Sequence, residues 1–157
     1  MKIRKAKRND VPGIMKLIYE LAVYEKAPAE VTLSKEDLKR SLFAKDPKVF
    51  CDLLEADGKI AGMAIWFLNY STWQGKHGIY LEDLFVRPEY RGRGYGEALL
   101  RHLARICVKN GYGRFQWSVL DWNKPAIGFY KGLGAGAMDD WTVYRVSGRA
   151  LKKLAGK

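Results

Sequence analysis

The stretch "LEDLFVRPEYRGRGYGEALL", residues 81–100, restricts the possible folds of this chain more than any other segment. It begins as an apolar strand pattern, turns through a loop with glycines at positions 92, 94 and 96, and continues as an amphipathic helix. Glycine adopts positive φ without a Cβ penalty, so successive backbone N–H groups can point inward as an anion-binding nest. The helix adds unpaired amides and the positive end of its dipole. The sequence therefore predicts either a phosphate-binding loop flanked by Arg87, Arg91 and Arg93 or a plain surface turn.

Two common phosphate-binding motifs do not fit this loop. The Walker pattern requires a Lys and then a Ser or Thr after its last glycine, whereas Gly96 is followed by Glu97 and Ala98. The dinucleotide fingerprint G-x-G-x-x-G fails because the glycines fall at alternate positions. The spacing thus excludes a P-loop and a Rossmann-type site.

Hydrophobic spacing and capping residues predict the remaining elements. Asn9 and Asp10 offer an N-cap for a first helix, Ser34 and Asp37 form a near capping box for a second, and Asp57-Gly58 marks a hairpin turn. The predicted strands are 2–7, 49–56, 59–70, 79–86, 115–120 and 141–146, and the helices begin near residues 11, 34, 97 and 123. This order indicates an α/β (α+β) fold with a mixed sheet.

Length and composition limit the class of protein. A chain of 157 residues with 48% hydrophobic residues can build one core, so a single domain over 1–157 is expected. No run of about 20 apolar residues and no signal peptide pattern are present, which predicts a cytoplasmic protein without a membrane partner. Cys51, Cys107 and two His provide no disulfide framework and no metal cluster. The net charge of +11 is scattered and accompanies no nucleic-acid-binding module, so no specific nucleic acid partner is predicted.

Two motifs carry a resemblance to a known family. The loop "RGRGYG" after "LEDLFV" resembles the acyl-coenzyme A pyrophosphate loop of the GNAT N-acetyltransferases, whose element order is similar to that predicted above. "YLEDLFVRPEYRGRGYG" together with "VLDWNKPAIGFYKGLGA" resembles the spermidine/spermine (diamine) acetyltransferases, and "YSTW", "VLDWN" and "KLAGK" lean towards the thialysine acetyltransferase branch. The resemblance implies the GNAT fold, a mainly antiparallel sheet flanked by helices, acetyl-CoA as co-substrate without a metal, and a homodimer.

The resemblance also implies roles for individual residues. Tyr130 would protonate the departing thiolate, which suits a phenol with a pKa of about 10, and Glu82 would contact the amine and receive its proton through ordered water. The implied coenzyme contacts are Leu84, Phe85, Val86, Arg91, Gly92, Arg93, Gly94, Tyr95, Gly96, Asn123, Pro125 and Ala126. The implied acceptor contacts are Tyr24, Glu25, Glu82 and Asp140, which make an acidic pocket on a basic protein.

The sequence also predicts the direction of Asp83, and it leaves more than one activity possible. Adjacent side chains of a strand point to opposite faces, so Asp83 is expected to face away from Glu82 and to act as a structural hydrogen-bonding partner. The implied activity is acetyl transfer from acetyl-CoA to a primary amine of a small cationic metabolite, either a thialysine-like or lysine-like amino acid or a polyamine. Acetylation of a protein N-terminus or lysine is an alternative, as is a non-catalytic acyl-CoA-binding module, although retention of Tyr130 argues against the latter.

Overall fold

A five-stranded sheet in the order β1-β2-β3-β4-β5 forms the centre of residues 1–118 in the computed structural model, which describes residues 1–157. Strands β1 to β4 are antiparallel neighbours, and β5 joins β4 in parallel. The elements are β1 (Lys2–Lys5), α1 (Val11–Tyr24), α2 (Lys35–Leu42), β2 (Val49–Ala56), β3 (Lys59–Ser71), β4 (Lys76–Val86), α3 (Tyr95–Lys109) and β5 (Phe115–Trp117). The prediction of a mixed, mainly antiparallel sheet with flanking helices is confirmed.

Local signals begin and end several of these elements as predicted. The Ser34 hydroxyl accepts the Asp37 N–H at 3.1 Å while the Asp37 carboxylate accepts the Ser34 N–H at 3.1 Å, so the capping box that starts α2 is complete. Asp57 and Gly58 both have positive φ, at 52° and 71°, as the tight turn between β2 and β3 requires.

The two faces of the sheet are covered by different helices. Helices α1 and α2 pack on the face that carries Leu53, Met63 and Phe85. Helix α3 packs against β2, β3 and β4 with its own buried residues, and strand alternation places Leu54 and Ala64 on this second face. Cys51 and Cys107 are free and buried, as expected for small core residues.

Some boundaries differ from those predicted. Strand β1 ends at Lys5 because the chain turns into a short 3-10 helix at Arg8–Asp10, where the Asp10 carboxylate accepts the Lys7 N–H at 2.7 Å. Strand β4 begins earlier than predicted, and β5 ends at Trp117, not at residue 120. These shifts do not alter the order of the elements.

Residues 119–157 form a second unit with two helices, α4 (Lys124–Gly132) and α5 (Gly148–Leu154). Asn123 caps α4 as predicted, since its side chain accepts the Ala126 N–H at 3.3 Å. The predicted strand over 141–146 is wrong: this segment is irregular and its side chains are largely exposed, Tyr144 to 91%. A strand needs a neighbour for its hydrogen bonds, and this segment pairs with none of the five strands of the sheet. None of the helices in the chain combines the length and apolarity needed to span a membrane.

Candidate active site

The loop between β4 and α3 has the backbone conformation of an anion nest. Gly92 and Gly94 have φ of 72° and 73°, and Gly94 is the N-cap of α3. The first intrahelical bond runs from the Ala98 N–H to the Gly94 carbonyl, so the amides of residues 95–97 lie ahead of the hydrogen-bonded part of the helix. The loop therefore presents consecutive backbone donors at the positive end of a helix that is 15 residues long.

Backbone conformation, and not crowding, requires glycine at position 94. A Cβ at Gly94 would meet no atom within 4 Å, and the same is true of Gly75, which has φ of 63° in the turn between β3 and β4. We expect Gly94→Ala and Gly75→Ala each to lower the free energy of unfolding by about 1–2 kcal/mol. Only Gly94→Ala is expected to weaken coenzyme A binding, by roughly tenfold, because the donors move. Calorimetric titration of both variants checks this, and equal weakening by Gly75→Ala would contradict it.

The three arginines around the loop have different partners. Arg87 is paired with Glu20 of α1 through bonds of 2.8 and 3.1 Å and also donates to the Ile60 carbonyl at 2.9 Å. Its charge is therefore already matched, and the expectation that it adds free positive charge beside the loop is corrected. Arg91 donates Nε–H to the Val86 carbonyl at 2.9 Å. Arg93 lies 3.7 Å from the carboxylate of Asp57 at the tip of the β2–β3 hairpin.

Arg91 connects the loop to the end of α1. Its guanidinium carbon lies 4.9 Å from the ring centroid of Tyr24 and 5.7 Å from that of Phe85. The contact with Tyr24 is at the last residue of α1, directly before Glu25. Residues that the sequence assigned to the coenzyme and to the acceptor are thus neighbours at this point.

A β-bulge in β4 changes the interpretation of the two adjacent carboxylates. Ile65 is paired with Asp83, whereas the next residue, Trp66, is paired with Leu81, so Glu82 is the extra residue of the bulge. Asp83 lies on the face of Ile65, which belongs to the core beneath α1 and α2. Leu81 and Asp83 therefore lie on opposite faces of the sheet, although simple alternation would place them on the same face.

Asp83 is a half-buried carboxylate among other carboxylates. Burial, and then the charges of Glu82 and Glu25, raise the pKa of Asp83 to about 6, and no donor lowers it. Burial also raises the pKa of Glu25. The expectation that Asp83 is a hydrogen-bonded structural residue is corrected, because it is an uncompensated acid next to the positions assigned to the amine.

The edge of β4 after the bulge is not paired with strand β5. Strand β5 pairs with β4 only at Ile79–Leu81, and its pairing ends where the bulge begins. From Glu82 to Val86, β5 provides no partner for the outward backbone groups of β4. Leu84, Phe85 and Val86, whose backbone the sequence assigned to the coenzyme, lie on this stretch.

The remaining predicted site residues lie in the unit of residues 119–157. Asn123, Pro125 and Ala126 form the first turn of α4, and Tyr130 lies near its end with its ring centroid 5.3 Å from that of Phe129. Asp140 is exposed in the irregular segment that follows. The joint action of Tyr130 and Glu82 stays a prediction.

Sequence reasoning missed three contributors to the site. Glu20 fixes Arg87 from 67 residues away, Asp57 reaches Arg93, and Asp83 has a raised pKa. The Asp57-Gly58 turn was visible as a turn, but its proximity to the loop depends on tertiary structure. No group of His, Cys, Asp or Glu in the chain is arranged to hold a metal ion.

Comparison with known proteins places this geometry in a family. The profile of the Acetyltransferase (GNAT) family matches residues 14–135. The chain is 39% identical to the thialysine N-epsilon-acetyltransferase of Bos taurus, over 99% of this chain and 97% of the relative. It is 31% identical to an L-ornithine N5-acetyltransferase of Arabidopsis thaliana, over 98% of this chain and 87% of the relative.

Solved structures agree on the fold. An integron cassette protein from the mobile metagenome of V. cholerae superposes with a TM-score of 0.83 at 27% identity, covering 99% of this chain and 98% of that one. An aminoglycoside acetyltransferase from a soil metagenomic sample, in complex with sisomicin, has a TM-score of 0.79 at 17% identity, covering 94% and 96%. Since the family profile and full-length relatives agree, the chain belongs to the GNAT acetyltransferase family and is an N-acetyltransferase.

Proposed function

We propose that the chain transfers the acetyl group of acetyl-CoA to the side-chain amine of a small diamino acid of the thialysine, lysine or ornithine type. Polyamines are the competing acceptors. The observation that carries this proposal is the separation of charge in residues 1–118. An amide nest with Arg91 and Arg93 adjoins a group of carboxylates that are not matched by cations. Similarity over nearly the full length to thialysine acetyltransferases supports the same acceptor class.

The loop and the open edge of β4 would hold the coenzyme. The amides of residues 92–96, with Arg91 and Arg93, suit a pyrophosphate, and those backbone groups of Leu84–Val86 that bond neither to β3 nor to Arg91 suit the amide-bearing pantetheine arm. An amide on this edge would stabilise the negative charge that develops on the thioester oxygen. From residues 119–157, Asn123, Pro125 and Ala126 would complete the contacts to the arm.

The chemistry requires a neutral amine and a protonated leaving group. An alkylammonium with a pKa of about 10.4 is neutral only about once in ~2,500 molecules at pH 7. Glu82, exposed in the bulge, would take the proton through ordered water. The amine nitrogen then bonds to the thioester carbon and loses a second proton to water, while the carbon–sulfur bond breaks and Tyr130 donates its proton to the sulfur. Water then returns a proton to Tyr130.

Acceptor recognition would be electrostatic. Glu25, Glu82 and Asp83 attract a cationic chain, Tyr24 offers an aromatic face to its methylenes, and Asp140 is a further acidic contact by resemblance. The rest of the protein is basic and would not attract a cationic substrate. The negative charge of this group of carboxylates would therefore select it.

Thiol release from acetyl-CoA tests this proposal with thialysine, lysine, ornithine, putrescine, spermidine and a lysine-containing peptide as acceptors. The highest kcat/KM is expected for the diamino acids. A preference for spermidine would overturn the diamino acid assignment, and a preference for the peptide would favour a protein acetyltransferase. Tight coenzyme A binding without turnover of any amine would favour a non-catalytic module.

We also propose that the protein is a cytoplasmic homodimer. The exposed apolar side chains of residues 119–157, among them Val143 and Tyr144, offer surface that a second copy would cover. Sedimentation equilibrium at micromolar concentration tests the dimer, and a single species of 17.9 kDa would contradict it.

A further inference from the structure

A contact between a carboxylate and an imidazole connects helix α3 to strand β2. Asp52 is 2% exposed, and its Oδ2 accepts the indole N–H of Trp66 at 2.8 Å. Its Oδ1 lies 3.3 Å from Nε2 of His102, which projects from α3. Both of these facing atoms are buried, and neither makes a hydrogen bond, so the contact is a close approach of two polar atoms that lack other partners.

Stability alone does not account for this pair. The Asp52 carboxylate and the facing nitrogen of His102 lose their hydration, and apolar side chains of similar volume often stabilise a core as well or better. The chemistry proposed above uses neither residue. What a contact between two polar groups adds to an apolar contact is direction, because it is favourable only for one placement of the two groups.

Direction matters on α3 because its other buried contacts are apolar. Leu99, Leu100 and Leu103 pack on the sheet, and apolar contacts tolerate small shifts or rotations of a helix better than a close contact between two buried polar atoms does. His102 lies seven residues after Tyr95, about 10 Å along the axis at 1.5 Å per residue. A shift of α3 at His102 would therefore move the amides that begin at Gly94.

We propose that Asp52, acting through His102, is a positioning residue that sets the placement of α3 and thereby aligns the amide nest with the coenzyme pyrophosphate. This inference rests on the proposed function of the loop. Trp66 fixes Asp52 on the sheet, Asp52 fixes His102, and His102 fixes the helix. Each step is one of the contacts described above.

The test measures coenzyme A affinity by calorimetry and kcat by thiol release in the full-length protein. We expect His102→Leu to weaken coenzyme A binding roughly tenfold while kcat at saturation stays within twofold of wild type. His102→Gln should recover most of the affinity, because its amide can donate to Asp52. Asp52→Asn keeps the volume and the acceptor for Trp66, so it tests the same role if His102→Leu does not fold, and it should weaken binding in the same direction.

Two control variants distinguish an effect on the placement of α3 from a general loss of protein stability. Leu38→Ala removes a buried side chain of α2 and should lower the melting temperature without changing coenzyme A affinity. Arg101→Gln breaks only the surface pair with Glu97 on α3 and should change neither. The inference would be overturned if His102→Leu and Asp52→Asn kept wild-type affinity, or if Leu38→Ala weakened binding equally. If the wild type itself did not bind coenzyme A, the proposed function of the loop would be wrong as well.

Discussion

Replacing Tyr130 with Phe is expected to lower kcat for acetyl transfer by about 10²–10⁴-fold, the usual contribution of a positioned general acid. The substitution keeps the ring and its contact with Phe129, at 5.3 Å between centroids, and removes the hydroxyl group that would supply the proton to the sulfur. Coenzyme A affinity should stay near that of the wild type, because a proton donor to the leaving group acts in the transition state. Steady-state thiol release and calorimetric titration check the two expectations.

Tyr144 provides the matched control for this substitution. It belongs to the same unit, is 91% exposed and is assigned neither to catalysis nor to coenzyme binding, so Tyr144→Phe should leave both kcat and coenzyme A affinity unchanged. A Tyr130→Phe enzyme with near wild-type kcat would show that another group protonates the thiolate, and the acid role of Tyr130 would then be abandoned.

Replacing Asp83 with Asn is expected to stabilise the protein at neutral and alkaline pH. The pKa of Asp83 is raised to about 6 in the folded state, against about 3.9 in an unfolded chain. The folded state therefore binds more protons than the unfolded state between these values, and the Asp83 contribution to stability falls as pH rises through this window. Above pH 6 the ionised group costs up to about 3 kcal/mol, since each unit corresponds to about 1.4 kcal/mol.

Urea unfolding at pH 8 and pH 4 measures this effect. The gain in unfolding free energy from Asp83→Asn should be large at pH 8 and small at pH 4, where the carboxyl is already mostly neutral in the fold. Asp139→Asn is the control, because this exposed carboxylate should give little change at either pH. A loss of stability from Asp83→Asn at pH 8 would mean that Asp83 is compensated by a partner.

Local signals carried most of the fold prediction. The Ser34 capping box, the Asp57-Gly58 turn and the Asn123 cap are each decided within four residues, and all three are confirmed. The segment 141–146 shows where such reasoning ends. Its alternating apolar residues favour a strand, but a strand forms only where another offers hydrogen bonds, and sequence spacing does not report that.

The candidate site was predictable where it depends on local backbone conformation. The glycines at 92 and 94 revealed the loop because positive φ is a local property. The engagement of Arg87 by Glu20, and the bulge that displaces Glu82, depend on pairing between distant segments. Alternation is a sound rule for a regular strand, and it failed at the one place where β4 is irregular.

The bulge divides β4 into two halves with opposite parity. Before the bulge, odd-numbered residues such as Leu81 face helix α3. After the bulge, even-numbered residues such as Leu84 face α3, because Leu84 pairs with Ala64. Removing residue 82 would leave every other side chain of β4 on its present face. Position 82 is therefore free of the packing constraints on its neighbours, and the residue there can change without rebuilding the core.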